Sequence, residues 1–291
     1  MKSKFQLLES KFPLIINLTR LNRPTGIWLL FLPCLFGILL SYKTNHKFDV
    51  LLVTTLFFAG AVIMRSAGCI INDIIDKKFD QKVARTQERP LASNEISIAV
   101  ALVILAILLA AGLAILLQFN QLTRIIGIVM LILIIIYPLA KRITYFPQFF
   151  LGITFNSGIL MASAAINNRL PLPIILLYIS SIFWTLIYDT IYAYQDIEDD
   201  LKIGVKSSAI KFGANPQKIL YSLTVLQIAL LFAVGILSKL SLIYHFMIYL
   251  ALFHLLCQIK SCDFTDAEKC LARFKSNIIV GSIIAMGIFL G

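Results

Sequence analysis

Charged residues are scarce in this sequence. Only 14% of its 291 residues are Asp, Glu, Lys or Arg, whereas about a quarter of the residues of a soluble chain are charged. The sequence also lacks a Gly/Ser-rich linker, a Pro-rich linker and a low-complexity block. These absences argue against a soluble protein and against several domains joined by linkers. We therefore predict a single membrane domain over residues 1–291.

Cysteine and histidine are few and show no pattern. The five cysteines have no CxxC spacing, and the three histidines are scattered along the chain. Zinc sites built from thiolates and imidazoles need ligands at short, fixed spacings. Neither such a zinc site nor CxxC redox chemistry is therefore expected.

Long apolar runs make up most of the chain. Hydrophobic residues account for 59% of it, and each run is close to the roughly 20 residues with which a helix crosses a bilayer. The predicted fold is all-α, a polytopic membrane bundle of about nine transmembrane helices. The predicted spans are residues 24–41, 49–71, 96–117, 122–139, 148–167, 171–193, 216–237, 241–258 and 276–290.

The basic residues predict the topology. If the N-terminus is cytoplasmic, most of the 26 Lys and Arg residues fall in cytoplasmic segments, as the positive-inside rule requires. Those assigned to the other side are Lys43, Lys47, Arg124, Arg169 and Lys239. The net charge of +11 then reflects topology, and no nucleic-acid partner is inferred. Residues 1–20 are predicted to form an interfacial amphipathic segment.

Two predicted cytoplasmic loops, 72–95 and 194–215, are long and rich in both signs of charge. The first reads NDIIDKKFDQKVARTQERPLAS. The second is preceded by the end of an apolar span, and the two together read YDTIYAYQDIEDDLKIGVKSSAIKFG. They resemble each other weakly, so they are either parts of a diverged internal repeat or unrelated. Their charge places the expected function on the cytoplasmic face.

Each of these segments carries a row of polar side chains at helical spacing. Residues four apart lie on one face of a helix, which predicts one row in the first segment and a second row at i, i+3, i+7 and i+11. Asp73 lies about 100° round from the first row. The first row is Asn72, Asp76 and Asp80, and the second is Asp189, Tyr192, Asp196 and Asp200.

Helix capping is the simplest alternative explanation for these acids. Capping acids belong at a helix N-terminus, whereas these follow the C-terminal ends of apolar spans, and two rows of like charge would repel. A divalent cation such as Mg²⁺ removes both difficulties because it binds carboxylates and keeps positions free for phosphate. Candidate contacts for an anionic substrate are Arg23, Arg65, Lys141 and Arg142. Alternatively, Arg65 forms a structural salt bridge with one of the acids.

The acidic motifs and the residues that follow them resemble those of a known family. NDIIDKKFD followed by RTQERPLAS is similar to the NDxxDxxxD motif and RPL segment of the UbiA-type membrane prenyltransferases, and QDIEDD resembles their second motif, DxxxD. The stretches RLNRPTGIWLLFLPCLFGI and YPLAKRITYFPQFFLGITFN are similar to the bacterial 4-hydroxybenzoate polyprenyltransferase branch in particular. The resemblance runs from about residue 18 to about residue 215.

The resemblance implies a nine-helix bundle around a central cavity, with Mg²⁺ bound to a polyprenyl diphosphate. Asp73 belongs to the motif but would act indirectly. Arg23 stands where Lys is usual in the family, which keeps the charge, and Glu198 stands where the branch often has Asp. The implied metal ligands are Asn72, Asp76, Asp80, Asp196 and Asp200, and the implied diphosphate contacts are Arg23, Lys141 and Arg142.

The implied reaction transfers a polyprenyl group to the ring carbon ortho to the hydroxyl of 4-hydroxybenzoate, a step in ubiquinone biosynthesis. Besides the acids of the metal site, the expected catalytic residue is Asp189, which would orient or deprotonate the phenol. Tyr192 would line the ring pocket, and Arg65 or Arg142 would bind the acceptor carboxylate. The expected partners are the two substrates and the bilayer, with no obligate protein partner, in the bacterial inner membrane with a cytoplasmic active site.

Two alternatives remain open from sequence. The first is prenyl transfer to another acceptor, namely a naphthoate, haem, chlorophyllide or a glycerol phosphate. The second is an ion-coupled transporter, whose repeats and intramembrane acids would form a cation and substrate site. Transporter acids usually lie near the bilayer midplane, whereas these acids follow the ends of the spans.

Overall fold

The protein is described here by a computed structural model, which describes residues 4–45 and 48–291, with side chains from residue 12 onward. Residues 1–3 of the predicted interfacial segment lie outside the described residues. The described chain contains helices and no strand. The helices are α1 (Lys4–Thr19), α2 (Thr25–Tyr42), α3 (Val50–Asp80), α4 (Ile98–Leu116), α5 (Gln121–Ile143), α6 (Pro147–Phe155), α7 (Ser157–Asn167), α8 (Leu172–Ala193), α9 (Ile197–Ile203), α10 (Ser208–Phe212), α11 (Gln217–Leu237), α12 (Leu242–Ser261) and α13 (Ala267–Leu290).

The predicted all-α membrane bundle is confirmed. Within the described residues, nine helical segments are long and apolar enough to cross a bilayer, and each overlaps one predicted span. α6 and α7 together make one of them, and α8 with its extension through α9 makes another. Large apolar side chains cover the outside of the bundle; Leu242 and Ile143, for example, are 87% and 76% exposed. An outer surface of this kind belongs in lipid, so this is an integral membrane protein.

Two helices extend well beyond their predicted spans. α3 continues through the first acidic stretch to Asp80, so residues 72–80 are helix and not loop. No Gly or Pro interrupts this stretch, and the hydropathy falls before the helix ends. α13 begins at Ala267, where the side chain of Asp266 caps the helix by accepting hydrogen bonds from the backbone N–H groups of Glu268 and Lys269. In both cases charged side chains ended the apolar run but not the helix.

The predicted span 148–167 is divided in two at Asn156. The side-chain amide of Asn156 donates to the backbone oxygen of Gly152 at 2.7 Å and to Thr185 Oγ1 on α8 at 2.8 Å. The predicted loop 194–215 is also partly helical: a short 3-10 turn at Tyr194–Asp196 leads into α9, and α10 follows.

The core lies where α2 packs against α7, α8 and α13. α2 and α7 approach closely at Gly37, where a Cβ atom would lie 2.6 Å from the backbone oxygen of Ile159. Trp184 of α8 is buried in this core, and its indole N–H donates to Asn277 Oδ1 of α13 at 2.9 Å. These contacts fix the position of α8, which carries the start of the second acidic row, within the bundle.

Candidate active site

Three aspartates are buried at the C-terminal end of α3. Asp73, Asp76 and Asp80 are 2%, 0% and 6% exposed, whereas Asn72 is half-buried. Charged side chains are almost never buried without a partner. The partners come from three different segments, and they define the site.

The carboxylate of Asp76 faces the end of α5. Lys141 Nζ donates to Asp76 Oδ2 at 2.5 Å, and Arg142 Nη2 lies 3.7 Å from Oδ1. Lys141 and Arg142 occupy the last turn of α5, where the helix dipole favours cations, and both lie over the ring of Phe79. Asp76 Oδ1 is buried and has no hydrogen-bond partner among the residues that the structure describes.

Asp73 and Asp80 share one cation. Arg89 Nη1 donates to Asp73 Oδ1 at 3.1 Å and to Asp80 Oδ2 at 2.8 Å. Arg20, which follows α1, donates through Nη2 to both oxygens of Asp73, at 2.9 and 2.7 Å. The sequence placed Asp73 away from the row containing Asp80. The structure corrects this, because residues seven apart complete two helical turns and face the same way.

The second row is not one continuous helical face. α8 gives way to the 3-10 turn before Asp196, and α9 then begins, so the predicted spacing from Asp189 through Asp200 does not hold. Asp196 instead faces Arg85, which donates through Nε and Nη2 to its two oxygens at 2.7 and 2.5 Å. Arg85 Nη1 also donates to the hydroxyl of Tyr192 at 3.0 Å.

The environment of Arg85 favours the protonated, positively charged form of its guanidinium. Burial lowers its pKa, but the hydrogen bonds to Asp196 and the electrostatic interactions with Tyr192, Asp196 and Asp80 together outweigh burial and raise the pKa above its usual value. The side chains of Arg85 and Asp196 are 30% and 16% exposed, so the pair is partly shielded from solvent.

The two acidic segments meet at one end of the bundle, where α3, α5 and α8 finish. Besides Arg85, the backbone N–H of Ala84 donates to Asp199 Oδ2 at 3.3 Å, and the backbone N–H of Lys206 donates to the backbone oxygen of Lys141 at 2.8 Å. Asp200 is half-buried and close enough to Lys141 for their charges to interact. The structure thus brings Asp76, Asp80, Asp196 and Asp200 to one end of the bundle.

An apolar cavity of about 210 Å³ extends from Arg65 and Gly68 of α3 into the bundle, away from this end and between α2, α3, α4, α5, α6 and α7. Most of its lining is aliphatic or aromatic, and its polar side chains are Arg65, Tyr137, Thr154 and Ser157. Arg65 lies over the ring of Phe155, 5.5 Å from its centre. Its guanidinium packs on the backbone at Gly26, where a Cβ atom would lie 2.4 Å from Arg65 Nε.

Asp189 and Tyr192 lie at the end of α8. Asp189 is half-buried and interacts electrostatically with Arg65, yet the two form no ion pair. The simple salt-bridge explanation of Arg65 therefore lacks the required contact. Tyr192 stacks near Phe274 of α13, with 4.5 Å between ring centres, and lies beneath the guanidinium of Arg85.

Arg23 is exposed and lines a polar recess of about 160 Å³. The other arginines around this recess are Arg20, Arg85 and Arg89, three residues that sequence reasoning did not select as site residues. The stretch RTQERPL contains two of them and formed part of the family resemblance. Its spacing alone did not reveal which acids these arginines contact, since the segment between α3 and α4 is irregular.

In this conformation, no group of three His, Cys, Asp or Glu side chains within the described residues is arranged to hold a metal ion. The carboxylates face Lys and Arg side chains instead. The chemistry of the residues still suits a hard cation, since several carboxylates converge and no described residue donates a hydrogen bond to the buried Asp76 Oδ1. Oxygen ligands of this type are those that Mg²⁺ prefers.

Comparison with known proteins gives consistent matches. The model of the UbiA prenyltransferase family matches residues 30–281. Mitochondrial 4-hydroxybenzoate polyprenyltransferase from Caenorhabditis elegans is 42% identical over 274 residues, covering 94% of this chain and 77% of the relative. The human protein of the same name is 42% identical over 277 residues, covering 95% and 74%.

Solved structures share the fold. A UbiA homolog from Aeropyrum pernix K1 superposes with a TM-score of 0.77 at 24% identity, over 90% of this chain and 97% of that one. A UbiA homolog from Archaeoglobus fulgidus bound to GPP and Mg²⁺ gives a TM-score of 0.69 at 17% identity, over 95% and 98%.

Proposed function

This chain belongs to the UbiA prenyltransferase family, and from that premise we propose that it transfers a polyprenyl group from a polyprenyl diphosphate to 4-hydroxybenzoate. Its relatives at about 42% identity carry this activity in their names. The new bond forms at the ring carbon ortho to the hydroxyl. The product would serve ubiquinone biosynthesis.

One observation carries the proposal: two acidic segments, distant in sequence, converge with five cations above an apolar cavity. The cations are Arg20, Arg85, Arg89, Lys141 and Arg142. A prenyl diphosphate has the same division, with a charged head and a long apolar tail. The head fits the charged end and the tail fits the cavity, whose walls exclude water from the reacting carbon.

The metal site proposed here uses Asn72, Asp76, Asp80, Asp196 and Asp200 as ligands to Mg²⁺. Mg²⁺ is bound together with GPP in the A. fulgidus protein of the same fold. In this chain, bound Mg²⁺ would supply Lewis-acid stabilisation of the charge that develops on the departing diphosphate. The uncoordinated Oδ1 of Asp76 supports this assignment.

Several basic residues are proposed to bind the diphosphate. Lys141 and Arg142 stand beside Asp76, and Arg23 lines the neighbouring recess. Fixed cations aimed at the leaving group stabilise the transition state more than the ground state, because the negative charge on the diphosphate grows as the C–O bond breaks. The prenyl carbon then becomes cationic, and the ring attacks it.

Arg65 and Asp189 are proposed to hold the acceptor. Arg65 lines the cavity and would bind the carboxylate of 4-hydroxybenzoate. It is preferred over Arg142, which already donates to the backbone oxygen of Ile75. Asp189 would orient the phenol or take its proton, with Tyr192 bordering the ring. Loss of a ring proton then restores aromaticity.

The whole chain is proposed to be one domain in a bacterial inner membrane, with the acidic end facing the cytoplasm. The excess of Lys and Arg at that end supports this orientation. Transfer to another acceptor is the second candidate function, since the acidic segments and the cavity would serve any prenyl diphosphate. The names of the relatives favour 4-hydroxybenzoate.

The test is a product assay with purified protein, a polyprenyl diphosphate, Mg²⁺ and labelled acceptor. We expect prenylated 4-hydroxybenzoate and little product from a naphthoate or a glycerol phosphate offered at the same concentration. A different preferred acceptor would change the assigned substrate and keep the reaction class. No product with any acceptor, from protein that is folded and bound to Mg²⁺, would overturn the proposal.

A further inference from the structure

Arg85, in the segment between α3 and α4, binds Asp196 of the second acidic segment. Its guanidinium engages both oxygens of Asp196 and the hydroxyl of Tyr192, and it lies 5.3 Å from the centre of the Tyr192 ring. The two bonds engage both carboxylate oxygens of Asp196 and place the positive guanidinium directly beside them. The charge of Arg85 therefore opposes the binding of a second cation to Asp196 while Arg85 remains in place.

Arg85 belongs to a segment with internal support. Thr86 Oγ1 donates to the backbone oxygen of Asp80 at 3.0 Å, Gln81 Nε2 donates to the backbone oxygen of Ala92 at 3.0 Å, and Arg89 pairs with Asp80. These bonds stay within the segment and the end of α3. Removing Arg85 from Asp196 therefore breaks contacts with the second acidic segment and leaves the fold of residues 81–93 supported.

Electrostatics explains why such a pair is needed. Asp196, Asp199 and Asp200 lie within five residues of one another, and without a cation their mutual repulsion would destabilise this end of the bundle. An arginine from the first half of the chain neutralises part of that charge. It also joins the two acidic segments when no divalent ion does so.

We propose that Arg85 is an exchangeable counter-ion, which holds Asp196 in the metal-free protein and must leave before Asp196 binds a divalent cation. The inference rests on the proposed function, because it takes Asp196 as a metal ligand. The Arg85–Asp196 pair and the metal are then alternatives. Part of the free energy of metal binding is spent on breaking the pair, so metal affinity in the absence of substrate is lower than the ligands alone would give.

Competition of this kind has a characteristic consequence. Removing Arg85 strengthens metal binding, whereas removing a residue that helps to hold the metal weakens it. The gain also requires Asp196, because a counter-ion that acts elsewhere would not depend on this carboxylate. A double-mutant cycle separates these cases.

The experiment measures Mn²⁺ binding to the purified full chain by electron paramagnetic resonance, with no prenyl diphosphate and no acceptor. The variants are Arg85→Gln, Asp196→Asn and the double variant. Lys82→Gln is the matched control. Lys82 lies in the same segment and is exposed, and the substitution removes one positive charge, as Arg85→Gln does. Size-exclusion chromatography checks that each variant is monodisperse, and Arg85→Lys provides a second variant that keeps the charge but loses the bidentate contact.

We expect Arg85→Gln to bind Mn²⁺ about tenfold more tightly than the unmodified chain, as loss of a charge-assisted pair allows. Lys82→Gln should change affinity little, Arg85→Lys should lie between, and Arg85→Gln should give no gain when Asp196→Asn is already present. Equal or weaker binding by Arg85→Gln overturns the inference, as does an undiminished gain in the double variant. Failure of the proposed function appears separately, as absence of product in the assay above.

Discussion

Arg85 and Asp196 are 111 residues apart in the sequence, and their side chains form a two-point ion pair with bonds of 2.7 and 2.5 Å. The pair joins the first acidic segment to the second at the end of the bundle. Lys141 makes a similar connection from α5 to Asp76. Every proposal about metal, diphosphate and acceptor depends on this convergence.

Loss of a carboxylate from either acidic segment should abolish prenyl transfer. We expect Asp76→Asn and Asp196→Asn each to lower the rate at least about 100-fold, since each deletes charge aimed at the metal and leaving group. The measurement is product formation by protein reconstituted in lipid. Asp263→Asn is a suitable control, because Asp263 is an exposed acid paired with Lys269 outside the site. Near-normal activity in either site variant would refute a metal site shared by the two segments.

Removal of divalent ions should stop the reaction reversibly. Oxygen-ligand sites for Mg²⁺ release the ion to a strong chelator, and the bundle itself is held by helix packing and not by metal. We expect no product in excess EDTA and full recovery after Mg²⁺ is restored. Circular dichroism should show unchanged helix content in EDTA. Product formation at the normal rate in excess chelator would remove Mg²⁺ from the account.

The cavity should set which isoprenoid chains are accepted. Gly60 of α3 lines it, and a side chain there would find no atom within 4 Å of its Cβ. We expect Gly60→Phe to reduce transfer of long chains while retaining transfer of short ones, because the ring fills the space for the distal isoprene units. Val103→Phe, on the exposed face of α4, is the control. An equal loss for all chain lengths would argue against the cavity as the tail site.

Arg65 should govern the affinity for the acceptor. Gly26→Ala places a methyl group against the Arg65 guanidinium and should displace it. We expect Gly26→Ala and Arg65→Gln each to raise the KM for 4-hydroxybenzoate severalfold, with little change in the KM for the prenyl diphosphate. Gly26→Ala should add little when Arg65→Gln is present. Additive effects would show that Gly26 acts through something other than Arg65.

The sequence was sufficient for the membrane fold because hydropathy and charge placement are properties of each span by itself. It also located the acids, since their spacing and their position after apolar runs are local features. The ends of α3 and α13 were missed because charge ends an apolar run without ending a helix. The helix break at Asn156 depends on its bond to Thr185 of α8, which is a tertiary contact.

Which cation pairs with which acid could not be predicted from the sequence, for a related reason. Arg20, Arg85 and Arg89 lie in irregular segments, where spacing does not determine the direction of a side chain. Asp73 was assigned to a different face from Asp80 by counting residues four apart. The shared contact with Arg89 shows that these two aspartates, seven residues apart, lie on the same face of α3.

The most direct test of the account is the location of Mn²⁺ by anomalous diffraction in crystals grown with a prenyl thiodiphosphate. We expect Mn²⁺ within direct coordination distance of a carboxylate oxygen of Asp76 and of one of Asp196, with the thiodiphosphate bound to the metal and Arg85 moved away from Asp196. Metal held by only one of the two acidic segments, or a diphosphate bound elsewhere, would contradict it.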